Sequence, residues 1–402
     1  MDLNVISGLL EKALGEKLEN YEITKNAEND KGQGHLGKVV FVTVRNKNTG
    51  KDRHLAVKQV LKCDTEAITK VMSAPYINEI YFYNKVVPVI KEFLRSYPEV
   101  TVMESIPVCY ATSLEPGLER LVFDNLKVQG YEIHSFAIPF KWDIYEAIAN
   151  IYGQYHGVFY GLKNKESEKY SQLSQGFLDN FRGMIDQDVW ADIFKYCCIR
   201  IQTFLKEENE LELVQAFQKY VDHTKKYFVD AISYRSPYSV ILHGDCWKNN
   251  FLFKYNNSGD MTSLKFVDFQ MAGEGSPALD LSYTFYSDAD DEILANLDKF
   301  LKTYHTSLGH TLKQMGLNIE QILPYAALEE EWKQTCAFGF LLGLKVFVTK
   351  CLKPENVRHI VEIMDGSAPR DILNKAILDT DSANFKKPVL SLLNHLYKNG
   401  FL

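Results

Sequence analysis

Val240-Ile241-Leu242-His243-Gly244-Asp245-Cys246-Trp247-Lys248-Asn249-Asn250-Phe251-Leu252-Phe253, followed by Leu264-Lys265-Phe266-Val267-Asp268-Phe269-Gln270, is the stretch that decides how this chain is read. An apolar strand runs into His-x-Asp, an Asn stands five residues after that Asp, and a second apolar strand ends in Asp-Phe. Phosphoryl transfer needs such a set: a carboxylate for the attacking hydroxyl, and a few hard oxygens for a magnesium ion on the nucleotide phosphates. The spacing makes Asp245 the candidate for the first task and Asn250 and Asp268 the candidates for the second. His243 is expected to be structural, packing under the loop and bonding backbone. Lys248 could meet a phosphate or simply be solvated. Asp280, in Ser276-Pro277-Ala278-Leu279-Asp280-Leu281, could cap a helix or brace the loop.

Working towards the N-terminus, Gly32-Gln33-Gly34-His35-Leu36-Gly37-Lys38-Val39 fits G-x-G-x-x-G-x-V. Glycines let a loop bring its N–H groups close to phosphate oxygens, so Gly32, Gly34 and Gly37 are candidate phosphate contacts. A plain hairpin explains three glycines as well, and only the other motifs tip the balance. The loop precedes a strand rather than a helix, which argues against a dinucleotide-binding turn. Leu55-Ala56-Val57-Lys58 offers a strand lysine to the phosphates, and Glu79 is a lone acid on an apolar helix face. A buried carboxylate needs a partner, and Lys58 is the expected one. Leu121-Val122-Phe123-Asp124-Asn125-Leu126 leaves a strand, and the backbone at Phe123, Asp124 and Leu126 could read a purine edge between Val39, Ala56 and Leu252. An ordinary strand end is the competing reading there.

The rest of the chain places these motifs. Residues 4–18 have helical spacing, Lys38 to Arg45 and Arg53 to Leu61 read as strands around a turn, and Tyr76 to Val87 reads as a helix ending before Pro88. Val100 to Tyr110 and Leu118 to Phe123 read as further strands. Beyond Lys127-Val128-Gln129-Gly130 the patterns are helical: Trp142 to Phe159, Val189 to Leu205, Leu211 to Ile232, Asp291 to Leu308 and Tyr325 to Lys350. The predicted class is α+β and bilobal, with a β-rich nucleotide-binding lobe over 1–128 and a mainly helical catalytic and substrate-binding lobe over 129–402. The aromatic run Tyr152 to Tyr160 and the segment Thr284 to Tyr286 could line an acceptor pocket, although aromatics at helical spacing are more often core.

Composition narrows the partners. The chain has 402 residues and a net charge of -7, against the basic excess that a nucleic-acid surface needs. Met1-Asp2-Leu3-Asn4 lacks the basic start of a signal peptide, and the apolar run Cys336 to Thr349 is too short to span a bilayer. It reads as a buried helix. The seven cysteines are odd in number and show no C-x-x-C pair, as expected of reduced thiols in the cytoplasm. Cys246 is expected to be a packing residue. A small molecule is therefore the expected partner, with neither nucleic acid nor membrane.

With these residues in place, the chain resembles the kinase-like superfamily in its aminoglycoside phosphotransferase and choline kinase branch, whose motif is His-Gly-Asp-x-x-x-x-Asn. Protein kinases usually carry Arg where Gly244 stands, and Asp-Phe-Gly where this chain has Asp268-Phe269-Gln270. Within the branch it most resembles the ecdysteroid kinase-like (CHK kinase-like) family, through residues 243–253, 268–270, 276–281 and Asn78-Glu79-Ile80-Tyr81-Phe82-Tyr83 followed by Val87-Pro88. That family often has Arg shortly after Asp-Phe-Gln, where this chain reads Met271-Ala272-Gly273-Glu274-Gly275. The resemblance implies a protein-kinase-like fold, ATP and Mg²⁺ as cofactors, and phosphorylation of a hydroxyl on a small, apolar acceptor such as an ecdysteroid or a foreign alcohol. Two alternatives stay open: a choline, ethanolamine or aminoglycoside kinase, for which the acids Asp288, Asp290, Asp291 and Glu292 would be available, and a nucleotide-binding protein without turnover.

Overall fold

The computed structural model describes residues 3–28, 37–61, 66–135, 138–353, 356, 362–363 and 368–402. A five-stranded antiparallel sheet comes first, built from β1 (Tyr21–Glu28), β2 (Gly37–Asn46), β3 (Asp52–Val60), β4 (Cys109–Ser113) and β5 (Arg120–Asp124) in the order β1-β2-β3-β5-β4. Its two faces have different tasks because strand side chains alternate. Val40, Val42, Val44, Leu55 and Val57 point one way and bury against Ile6, Leu9, Leu10 and Ala13 of α1 (Leu3–Leu14). Each of the larger side chains contributes roughly 1.5–3 kcal/mol when fully buried. On the other face β2 and β3 pair Val39 with Lys58 and Phe41 with Ala56, while β3 and β5 pair Ala56 with Phe123. Lys58, Ala56, Val39 and Phe123 therefore share the face turned away from α1.

The N-terminal helix is shorter than its periodicity predicts. It stops where Gly15 takes a φ of +73° and donates to the Glu11 carbonyl, and Leu18 falls in a separate 3₁₀ turn. The helix expected to end before Pro88 starts earlier and does not end there. α2 (Glu66–Tyr81) accommodates Pro75, a π-helical turn follows at Phe82–Val86, and α3 (Val87–Leu94) carries Pro88 in its first turn. A proline has no N–H to give, so it is tolerated at the first turn of a helix, and the π turn supplies that new start. The strand expected over Val100 to Tyr110 is a 3₁₀ turn at Val102–Ser105, and pairing begins only at Cys109, beyond Pro107.

A turn at residues 127–130, closed by Gly130 at φ +86°, leads to β6 (Tyr131–Ile133). β6 belongs to a second sheet, β6-β8-β9, with β8 at Phe251–Tyr255 and β9 at Met261–Phe266. A two-stranded ladder joins β7 (Val240–Leu242) to β10 (Gly273–Gly275). Helices make up most of the remainder: α4 (Trp142–Lys165), α5 (Ser167–Ser174), α6 (Asn180–Ile185), α7 (Asp188–Glu207), α8 (Leu211–Asp222) and α9 (Thr224–Ser233) precede β7. After β10 come α10 (Pro277–Tyr286), α11 (Asp291–Leu294), α12 (Leu297–Gln314), α13 (Ile319–Ile322) and α14 (Tyr325–Thr349), with two further helices at Arg370–Leu378 and Lys386–Lys398. Two of the expected long helices are broken, one at His223 and one at Ala295 and Asn296.

Glycines set the closest helix contacts. A Cβ on Gly153 or Gly157 of α4 would run into Ser307 or Thr311 of α12, and one on Gly339 or Gly343 of α14 would run into Ser282 or the Tyr286 carbonyl of α10. Tyr152, Tyr155, Phe159, Phe285 and Tyr286 are all buried in the resulting core. The aromatic run is thus mainly packing material, as is Thr284 to Tyr286, although Tyr155 and Phe159 also line a small apolar cavity with Phe82, Val86 and Ile90. Among the described residues no helix is long and apolar enough to cross a membrane.

Candidate functional site

β3 delivers Lys58 and α2 delivers Glu79 to the edge where β9 ends. Lys58 Nζ lies 2.5 Å from Glu79 Oε2 and 2.6 Å from Asp268 Oδ1, so one ammonium holds both carboxylates, the second 210 positions after Lys58 in sequence. Burial alone would lower the lysine; the Asp268 and Glu79 carboxylates more than reverse this and hold it charged. Burial pushes the Glu79 carboxyl up, and the Lys58 ammonium pulls it back. The pairing expected from the lone acid on the helix is present, with Asp268 as a second partner.

The Asp245 carboxylate accepts from Asn250 Nδ2 at 2.8 Å, and the same amide donates to the Asp245 carbonyl at 2.9 Å. Both bonds leave from Nδ2, so Asn250 Oδ1 is turned away from Asp245. The Asn250 carbonyl accepts from Val267 N at 3.0 Å, which sets Asn250 beside Asp268. Asp268 itself has φ +72° and ψ +64°, a left-handed conformation that Asp tolerates better than most residues. Lys58 occupies Oδ1 and leaves Oδ2. Burial raises the Asp245 carboxyl to about 7, with the negative charge of Asp268 adding to it and Lys345, the Asn250 bond and Lys58 opposing it. A carboxyl poised near neutrality suits a proton acceptor. The free oxygens of Asn250 and Asp268 fit a magnesium ion, which takes few protein ligands and keeps phosphate and water for the rest. Among the described residues no group of three or more His, Cys, Asp and Glu forms a richer metal cluster.

The loop is held from beneath. Asp280 is fully buried and accepts from His243 N and Gly244 N, each at 2.8 Å, and bonds His156 Nε2 at 3.2 Å. It therefore braces the loop; the capping of α10 falls to Ser276, whose hydroxyl accepts from Ala278 N. His243 Nε2 reaches the Val267 carbonyl at 3.0 Å while Nδ1 accepts from Asp245 N at 3.2 Å. Burial lowers its pKa, so the ring is neutral and carries its proton on Nε2. Gly244 has φ +88°, and a Cβ there would strike the Met271 carbonyl. The arginine usual in protein kinases has no room at this position. Phe269 is buried and stacks on Phe82 with ring centroids 3.9 Å apart and planes 7° from parallel.

Lys248 is not solvated. It is buried, and its ammonium binds the Ile138 carbonyl at 2.5 Å and Asp288 Oδ2 at 2.9 Å. The acids expected to be available for a cation are partly spent: Asp288 is held by Lys248 and Lys350, and Asp290 caps α11 by accepting from Ile293 N. Cys246 is fully buried, with its thiol pushed well up by burial, as a packing residue should be. Glu274, in the segment that departs from the family pattern, accepts from Tyr170 Oη at 2.8 Å.

Gly32 and Gly34 lie outside the described residues. Gly37 opens β2 so close to α2 that a Cβ would strike the Tyr76 hydroxyl. The Asp124 carboxylate is taken by Tyr110 Oη at 2.9 Å, and the Leu126 carbonyl by the amides of Gln129 and Tyr131. Leu252 alternates with buried Phe251 and Phe253 and so faces away from the core. Sequence reading overlooked two asparagines. Asn78 bonds Leu178 through both its amide atoms and donates to the Ala272 carbonyl at 3.0 Å, and Asn180 donates to the Gln270 carbonyl at 2.8 Å. Together they strap α2 to the Asp-Phe-Gln segment. The signal was there in Asn78, a second polar residue beside Glu79 on an apolar helix face.

A family model described as EcKL, the ecdysteroid kinase-like family, matches residues 31–317. Among solved structures, the chain is similar to one described as a kinase domain, with 13% identity, coverage of 93% of this chain and 94% of that one, and a TM-score of 0.21. A superposition that loose carries no weight beside the strand order and contacts above. No curated protein matches the chain.

Proposed function

The chain belongs to the ecdysteroid kinase-like family, and from that premise we propose that it is an ATP-dependent small-molecule kinase acting on a hydroxyl of a small, apolar acceptor such as an ecdysteroid or a foreign alcohol. The observation that carries the reading is the double engagement of Lys58 by Glu79 and Asp268 at 2.5 and 2.6 Å, which brings the lysine proposed for the phosphates against the aspartate proposed for the metal. In this reading residues 1–128 hold the nucleotide and 129–402 hold the loop and the acceptor. Val39 and Ala56 cover one face of the base and Leu252 the other. The backbone at Phe123, Asp124 and Leu126 meets its edge; among the described residues the turn there uses the Leu126 carbonyl and no bond from the Leu126 N–H. Gly32, Gly34 and Gly37 bring backbone N–H groups to the phosphates, and Lys58, oriented by Glu79, meets the α- and β-phosphates.

Asn250 Oδ1 and Asp268 Oδ2 would hold magnesium, which when bound neutralises charge on the phosphates. The acceptor hydroxyl lies against Asp245. Its oxygen forms the new bond to the γ-phosphorus, the bond from that phosphorus to the bridging oxygen breaks, ADP leaves with that electron pair, and the hydroxyl proton passes to Asp245. Asn250 Nδ2 holds the carboxylate in place meanwhile. The complete set Lys58, Glu79, Asp245, Asn250 and Asp268 favours turnover over nucleotide binding alone.

The test is transfer from labelled ATP to a panel of hydroxylated compounds, ecdysteroids included, with mass detection of product. Asp245→Asn is expected to lower turnover by roughly 10²–10⁴-fold while ATP still binds. Full activity in that variant would remove the assignment, and binding without transfer across the whole panel would favour the non-catalytic alternative.

A further inference from the structure

Lys248 lies between Asp245 and Asn250, and the mechanism above gives it no task. The turn it belongs to is closed by its own bonds. The Asp245 carbonyl accepts from Trp247 N at 3.1 Å and from Asn250 Nδ2 at 2.9 Å, and the Trp247 carbonyl accepts from Asn250 N at 2.9 Å. The Lys248 side chain leaves this turn and ends among three partners. Its ammonium donates to the Ile138 carbonyl at 2.5 Å and to Asp288 Oδ2 at 2.9 Å, and it lies 4.8 Å from the centre of the Phe140 ring. The same Asp288 oxygen accepts from Phe140 N at 3.0 Å. Only 1% of the Lys248 side chain and 10% of the Asp288 side chain are exposed.

Asp288 completes a series. Asp280 holds the backbone of His243 and Gly244, Thr284 Oγ1 donates to the Cys246 carbonyl at 2.9 Å, and Asp288 holds Lys248. These supports recur every fourth residue along α10 and its continuation, where Ser287 N still bonds the Tyr283 carbonyl at 3.1 Å, and they meet the loop at every second residue from 244 to 248. Four residues of helix rise about 6 Å, a span that two residues of loop can cover. One line of side chains on the helix therefore runs beside the loop in register. The first two supports hold backbone; the third holds a side chain, and that side chain also reaches the segment between β6 and α4.

Resting on the kinase reading, we propose that Lys248 is a positioning residue for transfer: seated between Asp288 and the Ile138 carbonyl, it fixes the turn whose ends carry Asp245 and Asn250, and so holds the proton acceptor and the magnesium ligand at the separation that the reaction uses. Stability alone does not call for a charge here, since a buried ion pair is often no better than apolar residues of the same volume. What the ammonium adds is direction: two bonds to fixed oxygens set the place of the turn, where a packed apolar chain would let it shift. The consequence is kinetic. Releasing the anchor displaces Asp245 and Asn250, whereas Lys58, Glu79 and Asp268 come from β3, α2 and the end of β9 and keep their mutual contacts. Nucleotide binding persists and turnover falls.

Lys248→Met and the double variant Lys248→Met/Asp288→Asn, each as the full-length chain, test this beside the wild type. The second substitution removes the charge that the first leaves without Lys248, and the Asn oxygen can still accept from Phe140 N. Transfer from Mg-ATP is measured with the best acceptor of the hydroxylated panel, together with urea midpoints and amide exchange at Trp247, Asn250 and Phe251, whose N–H groups close the turn. In Lys248→Met kcat should fall roughly 30- to 100-fold, as a shift of about 1 Å would cause, with KM for ATP changed less than about threefold. Exchange at the three amides should rise at least about tenfold. The double variant should regain the urea midpoint and keep the low kcat and fast exchange; it also carries the test if the single variant does not fold. A pair that serves only stability would return rate and midpoint together, and that result overturns the proposal. So do an unchanged kcat in Lys248→Met, a loss confined to KM for ATP, and unchanged exchange at the turn. A wild type that transfers to no acceptor overturns the kinase reading and this role with it, whereas a wild type that transfers, beside a Lys248→Met variant of equal kcat, overturns the role alone.

Discussion

Replacing Asp280 by Asn keeps the size and shape of a fully buried side chain and removes its charge, and the structure gives the cost. The carboxylate accepts two backbone N–H groups at 2.8 Å, one on each oxygen, and bonds His156 at 3.2 Å. An amide offers one oxygen, so its NH₂ must face either Gly244 N–H or His243 N–H, donor against donor. Leaving one buried donor without an acceptor costs about 1–3 kcal/mol, and the bonds that remain lose their charge assistance, roughly another 1–2 kcal/mol. Burying a neutral amide in place of a carboxylate returns part of this, so a net loss of about 2–3 kcal/mol is expected. By comparison, Ser276→Ala, which removes only the cap of the same helix, should cost about 1 kcal/mol.

Urea denaturation of both variants beside the wild type gives the ordering. Amide exchange at His243 and Gly244 localises it, with exchange expected to rise by roughly 30- to 150-fold in Asp280→Asn. Because a displacement of about 1 Å in a reacting group can cost 10²-fold in rate, transfer should fall by a similar factor. An Asp280→Asn variant no less stable than Ser276→Ala, with His243 and Gly244 as protected as before, would refute the brace.

Gly244→Ala should destabilise by at least 1 kcal/mol more than Gly259→Ala: both glycines have positive φ, +88° and +84°, but only at Gly244 would a Cβ strike the Met271 carbonyl, so equal urea midpoints would contradict the packing described. Lys58→Met leaves Glu79 buried without its cation, at a cost of about 3 kcal/mol or more, and should lower the melting temperature and abolish the thermal shift given by Mg-ATP; a shift that persists would count against the nucleotide site. The His395 imidazole is pushed down to about 4 by burial. Below the ordinary value near 6.5 the unfolded chain takes up a proton that the folded one refuses, so stability present above pH 6.5 is lost as pH falls towards 4, by roughly 1–3 kcal/mol for this half-buried group. Parallel melts of wild type and His395→Gln over that range should diverge, and superimposable pH profiles would show that His395 contributes nothing to acid sensitivity.

The elements most legible in the sequence were those whose signal is local. Val40, Val42 and Val44 alternate on one strand and bury one face of it, and the apolar runs before His243 and Asp268 end where the polar side chains must emerge. Lone polar residues on apolar elements were informative for the same reason: Glu79 required a partner, and Lys58 is there. Local patterns misled where bonding shifts along the chain. A proline at 88 suggests a helix end, yet a π turn creates a fresh helix start in front of it; Val100, Val102, Ile106 and Val108 suggest a strand, yet pairing begins only at Cys109, beyond Pro107.

The side chains around the reacting groups divide the same way. Residue type and spacing named Asp245 and Asn250, because a few residues of backbone fix how far apart they can lie, and the end of the next apolar strand named Asp268. Neighbours that arrive from distant helices leave no such trace. Lys248 stands three residues after Asp245 and yet turns away to Asp288, forty positions on. Asp280 offered two roles in the sequence, and only the position of α10 beneath the loop selected one. What the sequence determined alone was the chemistry available and the division into a strand-rich first part and a mainly helical remainder. Which charges are neutralised and which glycines have no room for a side chain were decided by the packing of α10, α12 and α14, since burial and pairing depend on distances through space rather than along the chain.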